Sequence, residues 1–203
     1  AFSPGRENLS RGGGRRGPAP PDGDGVAAVA PPRVSVLIPV YNRARHVRRA
    51  LDSVLRQTVD DWECIVCDDA STDDTPAAVE EYAARDARIR LVRHETNRGP
   101  NAARNTAAAA ATGQWISPLD SDDEYHDDRC EALLDAIGDY RRRTGTEPVA
   151  AASPYVSQSV RTGQREQKGP VPEGDVYRHL LMHFFGITSS LLIRRDAFER
   201  AGG

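Results

Sequence analysis

Val34-Ser35-Val36-Leu37-Ile38 is the stretch that decides the fold. It is short, rich in β-branched residues and bounded by Pro39, the pattern of a strand buried on both faces. Behind it, Val47, Ala50, Leu51, Val54 and Leu55 recur at helical spacing, which predicts a helix over Ala44 to Thr58. The same rhythm then repeats. Glu63 to Cys67 reads as a second strand. Thr72-Asp73-Asp74-Thr75-Pro76 reads as a helix start, with acids near the N-terminus and Pro in the first turn, and the helix runs to about Arg85. Ile89 to Val92 is a third strand. Pro100 to Thr112 is an Ala-rich helix closed by Gly113. Trp115 to Leu119 is a fourth strand, with Pro118 inside it suggesting an edge or a bulge. Asp128 to Arg143 is a fourth helix with Leu133, Leu134, Ile137 and Tyr140 on one stripe. Strand and helix in strict alternation predict an α/β domain with a mostly parallel sheet and helices on both faces. Ligands of such sheets sit beyond the carboxyl ends of the strands.

Beyond Gly145 the rhythm weakens. Val149 to Ala152 is a weak strand, Ser157 to Gly174 is polar and loop-like, Asp175 to Phe185 is a short helix and Ser189 to Ile193 a strand. At the other end, residues 1–33 hold seven of the 17 Gly and six of the 14 Pro, with five Arg against three acids. So little apolar area cannot offset the entropy of ordering, which predicts a disordered tail. It has no apolar run of signal-peptide length. The organisation is therefore a tail over 1–33, an α/β half over 34–145 and the start of a second half over 146–203. The chain lacks an initiator Met and ends on Ala201-Gly202-Gly203, so it reads as a fragment.

Composition narrows the function. The 203 residues carry a formal net charge of -3 and a sequence pI of about 6.0. A nucleic-acid binder held by a basic face would have a pI above about 9. No apolar run approaches the roughly 18 residues of a membrane span. Three cysteines make no disulfide framework. Cys64 and Cys67, three apart in a strand, point to opposite faces and read as small buried hydrophobes rather than a zinc half-site. Of the 27 basic residues only Lys168 is Lys, and the Arg and Ala bias looks like a GC-rich genome. Arginine is therefore weak evidence of chemistry in this chain.

The acids are informative because of where they fall. Asp68-Asp69 ends the second strand and Asp120-Ser121-Asp122-Asp123 ends the fourth, so both clusters lie on one edge of the sheet. Crowded carboxylates need a compensating cation. A hard divalent ion, Mg²⁺ or Mn²⁺, suits their oxygens and usually also binds a substrate phosphate. A solvated acidic turn is the bland reading of any lone D-x-D; the strand-end context and the second pair weigh against it. Gly99-Pro100 opens a helix whose N-terminal amides suit an anion, with Arg104 one turn in. His179 and His183 are four apart, but no third metal ligand accompanies them.

Taken together, these blocks resemble the family 2 glycosyltransferases of GT-A fold, whose sheet is Rossmann-like. Val34 to Arg43 looks like the family's opening strand and nucleotide loop, and Ala50 to Thr58 resembles its first helix. Cys64 to Thr75 is similar to its second strand and Asp-Asp-Gly-Ser loop, with Ala70 in place of the usual Gly. Asn97-Arg98-Gly99 with Ala103-Arg104-Asn105 matches its next element, and Leu119 to Tyr125 looks like its D-x-D metal motif. Thr188 to Arg195 is a weaker match. The resemblance implies that Pro39, Val40, Tyr41 and Asn42 line the nucleotide pocket. It implies that Asp68 or Asp69 accepts from the base, typically uracil, and that Gly99 and Arg104 approach the ribose and diphosphate. Asp120 and Asp122 would hold the ribose and the Mg²⁺ or Mn²⁺, with Asp122 the direct ligand.

The implied activity is transfer of a sugar from a nucleotide diphosphate donor, UDP-linked by expectation, to the hydroxyl of a glycan, lipid or small-molecule acceptor. The implied location is cytoplasmic or peripheral at the inner membrane face. The catalytic base of inverting relatives follows a Gly-Gly-Phe-Asp-like segment, which places it beyond Gly203; Glu173 and Asp175 are weaker candidates. Two other classes compete. A sugar-nucleotide pyrophosphorylase wants a Gly-rich basic loop after the first strand, where Pro39-Val40-Tyr41-Asn42 stands. A binding domain without turnover is the non-enzyme alternative.

Overall fold

The computed structural model describes residues 31–159, 162–169 and 188–202. In chain order the elements are β1 (Val34–Val40), α1 (Ala44–Leu55), β2 (Trp62–Asp68), α2 (Thr75–Arg85), β3 (Ile89–Arg93), α3 (Pro100–Ala109), β4 (Trp115–Pro118), α4 (Arg129–Thr144), β5 (Ala150–Ala152), β6 (Tyr155–Gln158), β7 (Arg165–Lys168), a 3₁₀ turn (Thr188–Ser190), β8 (Leu191–Arg194) and a short helix, α5 (Arg195–Arg200). Six strands form one sheet in the order β3-β2-β1-β4-β8-β5. The first four are mutually parallel, and β8 runs antiparallel between β4 and β5. The strand order reverses around β1, so the carboxyl end of β1 lies at a switch point. Strands from both sides of Gly145 share this sheet.

Alternating side chains of the central strands feed two cores. Val34, Val36, Ile38 and Val40 of β1 pack with Val47, Leu51 and Val54 of α1, Val79 of α2, and Leu133 and Ile137 of α4. On the opposite face Leu37, Ile65 and Ile116 pack with Ala103 and Ala107 of α3 and with Phe198 of α5. Cys64 belongs to the first core and Cys67 to the second, as period-2 alternation requires, and all three cysteines are free and buried.

The departures from expectation have local causes. Helix α1 stops at Leu55 instead of Thr58 because the next residues turn toward the segment after β4: the Gln57 side chain donates to the His126 carbonyl (2.7 Å) and the Thr58 amide to the Asp127 carbonyl (2.9 Å). Helix α3 stops at Ala109 because the Thr112 amide turns to Glu63 (2.6 Å). The stretch expected to be loop from Ser157 holds the end of β6 and all of β7, paired as a hairpin with a Ser159 N to Gln164 O bond (2.9 Å). Its strands are almost wholly exposed, so no core imprinted an alternating pattern on the sequence. The short helix expected over Asp175 to Phe185, Glu173, and the pair His179 and His183 lie outside the described residues, as does the tail up to residue 30. Order reaches slightly further upstream than Val34, since Arg33 forms an ion pair with Asp61.

Pro118 sits neither at an edge nor in a bulge; β4 lies inside the sheet between β1 and β8. The amides of Trp115 and Leu119 point toward the β1 side, to Arg33 O (2.8 Å) and Leu37 O (2.9 Å), so the missing Pro118 donor faces β8. There the ladder pairs only Trp115 and Ile116. Continuing its register sets Pro118 opposite Leu191, and the Leu191 carbonyl takes its hydrogen bond from Arg129 Nη2 (2.9 Å) instead. Arg129 is buried, donates also to Ser117 Oγ (2.8 Å) and stacks on the Tyr125 ring at 4.0 Å. A side chain thus replaces the donor that proline lacks.

Candidate active site

A cleft of about 280 Å³ opens at the carboxyl edge of the sheet, lined by Pro39, Val40, Tyr41, Asp69, Asn97, Gly99, Pro100 and Ala103. Of the residues expected from sequence, Pro39, Val40, Tyr41, Asp69 and Gly99 line it directly. Tyr41 is a large apolar side chain left 45% exposed, which suits a flat ligand face. Asn42 does not line the cleft. It takes a positive φ of 51° and clasps two loops. Its amide donates to Ser71 Oγ (2.8 Å), and its side-chain oxygen accepts from the Thr72 amide (2.8 Å).

The two acids of β2 differ. Asp69 accepts from the Arg98 amide (2.9 Å) and His94 Nδ1 (2.7 Å) on one oxygen, and from the Gly99 amide (2.7 Å) on the other. Burial acts to raise its pKa. The Arg98 amide, His94 and the Gly99 amide outweigh it and hold the carboxyl below its usual value. The anion facing the amides before α3 is therefore Asp69 itself. Gly99 has φ 89°, a backbone favouring glycine, and this turns its N–H onto the acid. His94 is fixed from its far side by Thr106 Oγ1 (2.8 Å). Asp68 is fully buried; Oδ2 accepts from the Ser71 amide (3.2 Å) and Arg93 Nε (3.2 Å), while Oδ1 has no partner.

The acids after β4 each have a different partner. Asp120 Oδ1 pairs with Arg104 Nη2 (2.9 Å), and Arg104 also donates to Asn101 Oδ1 (3.0 Å). Arg104 follows Ala103 of the cleft wall, so this pair links α3 to the acidic loop. Asp122 Oδ2 pairs with Arg43 Nη1 (2.6 Å). Asp123 accepts from Ser189 Oγ (2.5 Å), and the same hydroxyl accepts from the Asp120 amide (3.0 Å). Burial pushes the Asp123 carboxyl up; the neighbouring charges of Asp120 and Asp122 add to this and Ser189 opposes it.

Among the described residues no set of three or more His, Cys, Asp or Glu is gathered into a metal cage. An Mg²⁺-type ion needs only one or two protein carboxylates when a substrate phosphate completes its shell. The Asp120 and Asp122 donor set fits that requirement by chemistry, being hard oxygen ligands whose present partners, Arg104 and Arg43, are side chains able to turn away.

Sequence reading missed His94 and Ser189 as parts of the site, and it left Arg43, Asn97, Pro100 and Ala103 inside its motifs without roles of their own. In a chain with this many arginines, Arg43 carries no signal by type. Ser189 reaches Asp120 across 69 positions, and only the antiparallel insertion of β8 brings it there.

A model of the family described as Glycosyl transferase family 2 matches residues 35–202. The chain is 32% identical over 184 residues to the uncharacterized glycosyltransferase EpsJ of Bacillus subtilis, covering 84% of this chain and 50% of that one. It spans about half or less of the length of the curated relatives it matches. Among solved structures it is similar to the mannosyltransferase PcManGT of Pyrobaculum calidifontis in complex with GDP-Man and Mn²⁺ (TM-score 0.59, 26% identity, 85% of this chain and 47% of that one). It is also similar to S. aureus TarS 1-349 in complex with UDP (TM-score 0.50, 31% identity, 54% of this chain and 33% of that one). The mostly parallel sheet, the motif order and the family match over most of its length place this chain in glycosyl transferase family 2.

Proposed function

We propose that the chain is the donor-binding part of a glycosyltransferase that moves a sugar from a nucleotide diphosphate, UDP-linked, to an acceptor hydroxyl. The observation that carries this reading is the cleft itself. An exposed aromatic, Tyr41, and an ionised carboxylate, Asp69, share it, and Arg104 ties its α3 wall to the acids after β4. Tyr41 stacks on the base. Asp69 Oδ2 accepts one protein hydrogen bond and has capacity for a second, which suits uracil N3–H. The preceding residue, Asp68, ends β2 with one oxygen unmatched. Arg104 leaves Asp120 for the ribose and diphosphate.

A bound Mg²⁺ or Mn²⁺ would be held by Asp122 with Asp120 and would neutralise charge on the leaving diphosphate. The second half of the described residues contributes Ser189, which orients Asp120 and Asp123. No helix among the described residues is long and apolar enough to cross a membrane.

The test is calorimetry of UDP, CDP and GDP with Mn²⁺. UDP should bind tightest, because cytosine N3 carries no proton for Asp69. Asp69→Asn should reduce the preference for UDP over CDP by about 1–3 kcal/mol, the range for a lost charge-assisted hydrogen bond. GDP binding more tightly than UDP, or an unchanged preference in the variant, would refute the uridine reading.

A further inference from the structure

We propose that Arg43 is a built-in counter-ion: it holds Asp122 while no metal is present and turns to the diphosphate when a divalent ion takes that carboxylate. The inference rests on the sugar-nucleotide reading above and extends it by giving a role to Arg43, which ends the nucleotide-loop motif and has none in that reading. Three acids stand within four positions after β4, and each has its own partner. Asp120 has Arg104, Asp123 has Ser189, and Asp122 has Arg43, which lies 79 positions away.

Arg43 is built to swing. Its backbone is pinned, the amide donating to Thr75 Oγ1 (2.8 Å) and the carbonyl accepting from the Val47 amide (2.9 Å). Its side chain is 44% exposed and the partner carboxylate 48% exposed, so the pair is half in water and opens at little cost. It also stands two residues after Tyr41 of the cleft wall.

A metal ion and a guanidinium repel each other at one carboxylate. A metal arriving alone must therefore displace Arg43 and leave it without a partner. A metal arriving with a diphosphate offers the guanidinium new oxygens, which its planar fork suits well. Arg43 thus opposes metal binding in the absence of diphosphate and supports it in its presence. Linkage requires the same coupling in reverse, so metal must strengthen diphosphate binding through the same residue.

Manganese titrations, followed by the electron paramagnetic signal of free Mn²⁺, test this in the wild-type chain, Arg43→Gln and Arg43→Lys. Each is run alone, with UDP and with uridine, which lacks the diphosphate. Arg43→Gln should bind Mn²⁺ alone about three- to tenfold more tightly, because a like charge has gone. The gain in Mn²⁺ affinity on adding UDP should shrink in that variant by a factor of about three or more. Arg43→Lys should lie between, and uridine should change Mn²⁺ affinity in none of the three proteins. Wild type binding both ligands with coupling, matched by Arg43→Gln within about twofold in both quantities, overturns the role of Arg43 alone. Wild type binding Mn²⁺ but not UDP overturns the sugar-nucleotide reading and this inference with it.

Discussion

The two edges of the sheet both carry buried acid and, Asp69 with its three donors apart, they treat it in opposite ways. At the amino edge, Glu63 is nearly enclosed, and its Oε1 accepts from Ser35 Oγ (2.7 Å), the Thr112 amide (2.6 Å) and the Thr112 hydroxyl (2.8 Å). Its Oε2 pairs with Arg90 (2.6 Å). At the carboxyl edge, Asp68 keeps an unmatched oxygen, and Asp120 and Asp122 are held by arginine side chains reaching over from other elements. The carboxyl edge also holds both non-glycine residues with positive φ among the described residues, Asn42 and Ala70. A satisfied acid locks a fold; an under-satisfied acid beside strained backbone is what a ligand site leaves behind. On the reading proposed above, the amino edge is scaffold and the carboxyl edge is where the ligand would sit.

The amino edge should break first under substitution. A Cβ at Gly113 would stand 2.6 Å from Ser35 Oγ, 2.9 Å from the Ser35 nitrogen and 3.0 Å from the Val34 carbonyl carbon. Two of those atoms are backbone and cannot step aside, so Gly113→Ala should lower unfolding free energy by about 2–3 kcal/mol in urea melts. A loss below about 0.5 kcal/mol would mean that the edge is looser than described.

Glu63→Gln comes next, and it carries a pH signature. Burial works to raise the Glu63 pKa, but Ser35, Thr112 and Arg90 together hold it below the ordinary 4.5. A carboxyl lowered in the folded state contributes stability that is complete above its unfolded value and is lost as pH falls through its folded one. The wild type should therefore lose this contribution on acidification below about pH 4.5, and the variant should show a flatter acid limb. At neutral pH the variant should be about 1–2 kcal/mol less stable, since an amide N–H₂ would face Arg90. Identical acid limbs would remove Glu63 from the account.

The smallest stability effect sharpens the contrast from the other edge. Ala70 has φ 64°, where a Cβ is unfavourable, so Ala70→Gly should raise stability by about 0.5–1 kcal/mol after the larger unfolded-state entropy of glycine is counted. A decrease on thermal melting would show that the Ala70 methyl packs well enough to outweigh its backbone strain.

How much of this could be read from sequence follows from how each feature is encoded. The strands and helices up to Thr144 were legible because two cores imprint two periodicities, and Val36 and Leu37 face different cores. The β6-β7 hairpin was not, because neither of its faces meets a core. The acids were legible because strand ends are visible in the pattern. Their partners were not: Arg43 reaches Asp122 across 79 positions and Asp69 accepts from amides about 30 positions away, which local spacing does not record. Pro118 misled for the same reason, since its compensation comes from Arg129, a side chain on another element.

The most direct test of the claim that the carboxyl-edge acids serve a ligand rather than the fold is UDP binding with and without Mn²⁺, in the wild type and in Asp122→Ala. Wild-type affinity for UDP should rise with Mn²⁺. The variant should show no metal response, and its unfolding free energy should stay within about 0.5 kcal/mol of wild type, as expected for a half-exposed side chain. A variant that keeps the full metal response, or one that loses it only by unfolding, would contradict the assignment.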